Sequence, residues 1–358
     1  MSGCSEKKKF RVGILTFHFA DNYGAVLQAY ATKKSITNLG HKAEIINYRP
    51  SRLVEGYDIN PFHKRGLKCL KSIWLYPYKK LQVDLFRDFR KEYLEEGSHG
   101  YSNINEACIG YDAVVVGSDQ VWNLDLTGED NAYFLANISE NIVKVGFAIS
   151  MGRYDAPMLE RYIRDYAVCF SHLSFREEKA ARICREVLSV SASVVTDPVF
   201  LLSNKDWEIL EKKPQKFPYD KYILYYALEK NKMLLEKVIE YSLKTKLPII
   251  SIHPTTIKEK NRKVINLNNV GPREFLWLIN HAECVGTNSF HGMAFSTIFK
   301  KKILYAAHGK LGDRNRNLLS ILGICEQIDG ECIDFARQNY DKINLLIDQS
   351  KDFIKSIT

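Results

Sequence analysis

The chain has 358 residues, of which 46% are hydrophobic and 26% charged, with a formal net charge of +9. That length exceeds one ordinary core and suits two domains, and the composition excludes a disordered chain. No run of eighteen apolar residues occurs, which excludes a membrane-spanning helix, and the eight cysteines form no C-x-x-C pair or zinc-like spacing.

The N-terminal "MSGCSEKKKF" has basic residues with no apolar stretch behind them, so the expected location is cytoplasmic, with reduced thiols. "FRVGILTF" (10–17) is predicted as a buried strand. "GAVLQAYATKKSITNLG" follows with helical spacing and Gly40 as its stop, and "HKAEIINY" is a second strand. This strand–helix–strand unit is the building block of a parallel sheet. Residues 50–102 break the rhythm with basic and aromatic residues, predicted as one or two covering helices interrupted near Pro77. Such a basic aromatic segment also suits peripheral contact with the inner face of a membrane.

Alternation then resumes. "YDAVVVGSDQVWN", "NIVKVGFAIS", "CFSHLSFREEKAARIC" and "SVVTDPVFLL" each contain a strand, and the first, third and fourth have charged exits. Prolines and a charged cluster at 202–218 mark the predicted domain join. Beyond it, strands are predicted at "YILYYAL", "LPIISIHP", "KVINL", "AECVGTN" and "KILYAA". The segment "ECIDFARQNYDKINLLIDQSKDFIKSI" is expected to be closing helices. The expected domains are 1–210, with a helical insert at about 50–102, and 211–358, both Rossmann-like α/β. Two doubly wound domains facing a cleft place ligands at the carboxyl ends of strands.

No G-x-G-x-x-G, P-loop, G-x-S-x-G or H-E-x-x-H is present. Chemistry-bearing residues instead follow the strands. "SDQVWN" sets Ser118, Asp119, Gln120, Trp122 and Asn123 at one exit. Asp119 suits a base and Trp122 a sugar face, against the plainer reading of a structural turn with a core tryptophan. Arg176 in "SFREE" suits a carboxylate or phosphate clamp, against a salt bridge to Glu177 or Glu178. Asp197 in "TDP" follows another strand, where capping a turn is the plainer reading. Asn22, Tyr23 and Gly24 open the first helix, where capping competes with ligand approach. In "TNSFHG", Thr287, Asn288 and Ser289 lead into a helix bearing His291 in its first turn. Backbone N–H groups and the helix dipole suit an anion there, and a nearby anion favours a protonated imidazole able to act as an acid. A capped helix with a hydrogen-bonded histidine is the plainer alternative.

The blocks "NYGAVLQAYAT", "YDAVVVGSDQVWN", "FREEKAARI", "VVTDPVFLL", "GPREFLWLINHAECVGTNSFHGMAFSTIFKKKIL" and "DRNRNLLSILGI" stand in order. Together they resemble the polysaccharide pyruvyl transferase family, from about Arg11 to Ile324. The N-terminal block is of the "NYGA-LQ" kind, where some relatives carry "GD-A". The resemblance implies two doubly wound domains like the B-type glycosyltransferases. It also implies transfer of pyruvate from phosphoenolpyruvate onto a sugar as a ketal, in the making of exported or capsular polysaccharide. In that family a histidine and an arginine hold the donor, which by motif fall on His291 and Arg176.

The resulting assignment has His291 as acid and phosphate contact, Asp119 as base and Asp197 as second candidate. Arg176, Asn288, Ser289 and Lys310 join His291 around the donor. Asn22, Tyr23, Gly24, Ser118, Gln120, Trp122 and Asn123 line the acceptor side. No metal or cofactor is expected beyond phosphoenolpyruvate as donor substrate, and a sugar or glycan is the expected acceptor, a lipid-linked form included. No nucleic-acid motif accompanies the basic residues, so nucleic acid is not an expected partner. The rival readings are a glycosyltransferase using a nucleotide sugar and a noncatalytic basic scaffold that binds polysaccharide or membrane.

Overall fold

The computed structural model describes residues 8–56, 67–97, 100–128, 130–152, 157–189, 191–228, 231–252, 256–258, 264–306, 312–324 and 332–357. It divides into two compact units. The first holds Met1–Asp58, Arg90–Leu201 and Leu346–Thr358; the second holds Ile59–Phe89 and Leu202–Leu345.

The first unit has one six-stranded sheet: β1 (Arg11–Leu15), β2 (Lys42–Ile45), β3 (Ala113–Val116), β4 (Val143–Ile149), β5 (His172–Phe175) and β6 (Ser193–Val194). Their order is β2-β1-β3-β4-β5-β6, and every pair is parallel. β1 and β3 are apolar and almost wholly buried, as expected of strands covered on both faces. Leu15, Val114, Val116, Phe134 and Phe175 lie in one hydrophobic core. The helix Tyr23–Asn38 crosses from β1 to β2 and is buried on most of its surface, including Ala25, Val26, Leu27 and Ala29.

The second unit carries β7 (Ile223–Tyr226), β8 (Ile249–Ser251), β9 (Val264–Asn266), β10 (Cys284–Thr287), β11 (Lys302–Tyr305) and β12 (Cys332–Asp334). The order is β12-β11-β10-β7-β8-β9, parallel except for the antiparallel edge pair β11–β12. Both sheets are thus doubly wound and Rossmann-like, as the sequence implies. In each, the strand order reverses at one place: between β1 and β3 in the first unit, and between β7 and β10 in the second. A crevice forms outside the strand ends at such a reversal, because the adjoining crossovers leave on opposite faces.

Two expectations change. The helix Leu67–Phe89 runs through Pro77 without a break and passes into a π-helical turn at Arg90–Leu94. A proline removes one N–H donor, and the remaining helical bonds carry this helix past it. Near the end of the sequence, "CID" is an edge strand and not helix; the closing helix begins at Asp341 and ends at Lys355. That helix braces the first unit: Phe353 stacks on Phe147 of β4 at 5.8 Å between ring centroids, and the Ser350 hydroxyl accepts from the Thr196 N–H at 2.8 Å. No described helix is long and apolar enough to cross a membrane. Residues 57–66 of the basic aromatic segment lie outside the described residues.

Candidate active site

In the first unit, the residues following β1, β3, β4, β5 and β6 gather at the carboxyl edge of the sheet. After β3, the Ser118 hydroxyl is fully buried and donates to the Ala148 carbonyl at 3.0 Å, while the Ser118 carbonyl accepts from Thr16 Oγ1 at 3.0 Å. These bonds fix the turn that presents Asp119, whose φ of 78° is unusual for a residue with a side chain. Asp119 Oδ1 accepts from the Gln120 N–H at 2.8 Å, and the side chain keeps 18% of its surface exposed. Gln120 Oε1 accepts from Asn123 Nδ2 at 2.8 Å, and Asn123 caps the short helix Leu124–Thr127.

Trp122 takes a different place from the one expected. It is fully buried, stacked on Phe134 at 4.6 Å, and its Nε1 donates to the Tyr133 carbonyl at 2.8 Å. An indole with both faces covered and its N–H satisfied has nothing to offer an acceptor sugar, so Trp122 is core.

Arg176 follows β5 and Asp197 follows β6. They form a buried ion pair between Nη1 and Oδ2, and Arg176 Nη2 lies 3.9 Å from Asp119 Oδ1. Burial acts to lower the Arg176 pKa, but Asp197, Glu177 and Asp119 outweigh it and raise it, so the guanidinium stays charged. Its hydrogen-bonded carboxylate partner is the chain's own Asp197, and Glu177 adds a further negative charge nearby. Asp197 Oδ1 also accepts from the Val199 N–H at 3.1 Å, and none of its side-chain surface is exposed. With its side chain wholly covered and bound to the guanidinium, Asp197 reads as a structural anion, closed to an acceptor hydroxyl. Asp119 is the carboxylate of the pair with open surface.

A second network stands beside the β1 end, and the motif reading missed it. The His18 ring is fully buried. Its Nδ1 donates to the Thr16 carbonyl at 3.1 Å, while Nε2 faces Asn47 Oδ1 at 3.1 Å and Glu96 Oε1 at 3.3 Å. Arg49 pairs with Glu96 as well, and Arg90 Nη1 donates to Asp21 Oδ1 at 2.7 Å. Asp21 immediately precedes Asn22, whose Oδ1 caps the first helix through the Ala25 N–H at 3.2 Å. Asn22 is partly exposed, whereas Tyr23 and Gly24 are buried in that first turn. The only sequence signal for this network was polar residues after an apolar strand, in "FHFADN".

Burial alone would raise the Glu96 carboxyl, but His18 and Arg49 hold it at about 2, below its ordinary 4.5. A depressed folded-state pKa means stability present above the unfolded value and lost as pH falls towards the folded one. Wild type is therefore expected to exceed Glu96→Gln in stability near neutrality, with the gap closing between pH 4.5 and about 2. Melting temperatures of both proteins across that range check this; a gap independent of pH would refute it.

In the second unit, "TNSFHG" occupies the β7/β10 reversal. The Thr287 hydroxyl accepts from the Ser289 N–H at 3.0 Å, and Ser289 Oγ caps the helix Phe290–Ile298 by accepting from the Gly292 N–H at 3.4 Å. Asn288 Oδ1 accepts from the Leu228 N–H after β7 at 3.0 Å, bridging the two strand ends. Asn315, buried and absent from the motif assignment, donates through Nδ2 to the Asn288 carbonyl at 3.0 Å. An asparagine inside a helix is a weak helix former, which is the signal that could have marked it. His291 sits in the first helical turn, 8% exposed, with the Phe290 ring edge-on at 5.2 Å. Lys310 lies outside the described residues.

Gly292 lets this helix approach β10. A Cβ there would fall 2.4 Å from Thr287 Oγ1 and 3.0 Å from Tyr226 Cδ1. Gly292→Ala is expected to cost about 1–3 kcal/mol of stability through overpacking. It should also push apart the Thr287–Ser289 turn. A melting temperature unchanged from wild type would refute this.

The structure thus brings Asp119, Arg176 and Asp197 together in the first unit, and Asn288, Ser289 and His291 together in the second. Among the described residues no group of three or more His, Cys, Asp or Glu side chains is arranged to hold a metal ion.

Comparisons agree with this architecture. The family model for polysaccharide pyruvyl transferase matches residues 22–308. No curated protein sequence matches the chain. Among solved structures, the UDP-GlcNAc 2-epimerase of Methanocaldococcus jannaschii superposes with a TM-score of 0.52 at 15% identity, covering 95% of this chain and 92% of its own. A protein described as a UDP-N-acetylglucosamine 2-epimerase, from Listeria monocytogenes, gives 0.50 at 10% identity, covering 97% and 91%. At such identities the likeness is one of fold.

Proposed function

This chain belongs to the polysaccharide pyruvyl transferase family, and from that premise we propose that it transfers pyruvate from phosphoenolpyruvate to two hydroxyls of a sugar, forming a ketal. The methylene carbon of the donor takes a proton, and a sugar hydroxyl adds to the adjacent carbon. Phosphate then leaves as a second hydroxyl closes the ring. The proton of the first hydroxyl balances the one taken up by carbon, and the proton of the second leaves with phosphate. As written, the reaction uses no metal or cofactor.

The observation that carries the donor assignment is His291 in the first turn of the helix Phe290–Ile298, at a strand-order reversal. The helix N-terminus carries partial positive charge, which suits phosphate and carboxylate. An imidazole is a suitable acid there, because an anionic donor favours its protonated form. In the first unit, Asp119 is the proposed base for an acceptor hydroxyl. Its carboxylate is partly exposed and lies 3.9 Å from the Arg176 guanidinium. Arg176 itself is matched by carboxylates, so its proposed part is to position Asp119 and Asp197, with any grip on the donor secondary. Asn22, Gln120 and Asn123 are the proposed acceptor contacts.

Cytoplasmic residence follows from the donor, a metabolite of that compartment, and is part of the same proposal. The test is thermal stabilisation. Phosphoenolpyruvate should raise the melting temperature, by mass action on the folded state. No shift with phosphoenolpyruvate, alone or with saccharide present, overturns the reading.

A further inference from the structure

A cavity of about 310 Å³ opens in the first unit beside the end of β2, lined by Tyr48, Arg49, Arg52 and Asp130 with the hydroxyl residues Ser51, Ser102 and Thr127. None of the residues placed around the donor touches it. Its contents have a definite chemistry. Arg49 is committed to Asn47, through Nε at 2.8 Å, and to Glu96. Arg52 is exposed, and no ion pair between described residues includes it. Its guanidinium lies so close over Gly128 that a Cβ there would fall 2.2 Å from Nη1, so the bare backbone makes room for the charge.

Asp130 is held in a fixed pose. Tyr48 Oη donates to Oδ2 at 2.7 Å, and the Ala132 N–H donates to Oδ1 at 2.9 Å. Each carboxylate oxygen keeps acceptor capacity for a further donor. Thr127 closes the short helix that Asn123 caps, donating back to the Asn123 carbonyl at 3.2 Å. The cavity is therefore one helical turn from the "SDQVWN" loop, within the same unit.

We propose that this cavity binds a phosphorylated saccharide, with Arg52 gripping a phosphoryl group and Asp130 accepting from sugar hydroxyls. A guanidinium offers a planar fork that matches phosphoryl oxygens, and an oriented carboxylate beside hydroxyl side chains suits a vicinal diol. The volume is that of a small ligand site. That the ligand is the acceptor rests on the pyruvyl-transfer reading; that it is a phosphorylated sugar rests on the cavity. The phosphoryl group could belong to a nucleotide-linked or to a lipid-linked sugar.

Calorimetric titration of wild type and Arg52→Ala tests this, with inorganic pyrophosphate, glucose 1-phosphate and glucose as probes. Arg52 is exposed, so the variant should fold. Both phosphorylated probes should bind wild type, and Arg52→Ala should weaken them by about tenfold or more, the worth of a charge-assisted contact. Glucose should bind more weakly and equally to both proteins. Equal affinity of the phosphorylated probes for both proteins, or no binding of either to wild type, overturns the proposal. UDP-glucose and farnesyl-diphosphate-linked glucose then separate the nucleotide from the lipid source, by which of them loses affinity in Arg52→Ala. Phosphoenolpyruvate titrated in parallel should bind both proteins alike. If it binds neither while pyrophosphate still depends on Arg52, the donor reading fails and the cavity stands.

Discussion

His291→Ala is expected to fold normally and to lose turnover by about 10²–10⁴-fold, the usual worth of a positioned general acid. The turn that carries His291 is held by bonds of its own. Thr287 and Ser289 close the turn, Asn288 ties it to the residue after β7, and Asn315 holds the Asn288 carbonyl. Removing the imidazole should therefore leave the turn in place, with a modest fall in melting temperature from truncating a buried side chain. His291→Gln refines the result, since an amide keeps hydrogen bonding but cannot deliver a proton. If the imidazole is the acid, both variants lose kcat, read as phosphate release and as appearance of the ketal methyl group by NMR. A rise in KM for phosphoenolpyruvate with kcat unchanged would show a binding residue only. Unchanged kinetics in both variants would remove His291 from the mechanism.

The second large effect is one of stability. Arg176→Met should destabilise the protein by about 3–5 kcal/mol, because it leaves a buried carboxylate without its countercharge. Asp197 has no exposed side-chain surface, and Asp119 and Glu177 are the other anions acting on the same guanidinium. Asp197→Leu should be destabilising for the mirror reason, stranding a buried guanidinium. The double variant should recover most of the loss, since an apolar pair of similar volume replaces an ion pair at little net cost. Urea titration of the four proteins gives the coupling directly. Simple additivity would mean that the pair is not coupled in solution. Activity should stay low in the double variant even where stability returns, because Asp119 would lack the cation 3.9 Å away. Recovery of full activity would show that Arg176 is scaffolding alone.

Much of this was legible in the residues. The buried strands announced themselves as short apolar runs, such as "VGIL" and "AVVV", with polar exits, and the helix after β1 by its spacing and its cap at Asn22. The "TNSFHG" turn was readable because capping, close approach and a titratable side chain fall in six consecutive residues. What escaped was either too short or too distant. β12 has three residues and pairs antiparallel with β11, which no periodicity over three positions can reveal. Whether Trp122 meets sugar or core depends on Phe134, Phe170 and Phe175, up to 53 positions away. The partnership of Arg176 with Asp197 spans 21 positions, and that of His18 with Glu96 joins residues with no shared motif. Sequence shows which chemical groups a chain owns; long-range contacts decide which of them are left open to a ligand.

The closing helix has a consequence for how the protein is made. Ser350 and Phe353 belong to the first unit, holding Thr196 beside Asp197 and packing on β4, yet they follow every residue of the second unit in the chain. A ribosome releases the sheet of the first unit early and the part that braces it last. Between those moments Phe147 lacks its stacking partner and the Thr196 N–H its acceptor. A nascent first unit must therefore wait, incompletely packed, through the synthesis of about 150 further residues, and a chain interrupted after β11 would own both sheets' main strands without the brace for the first.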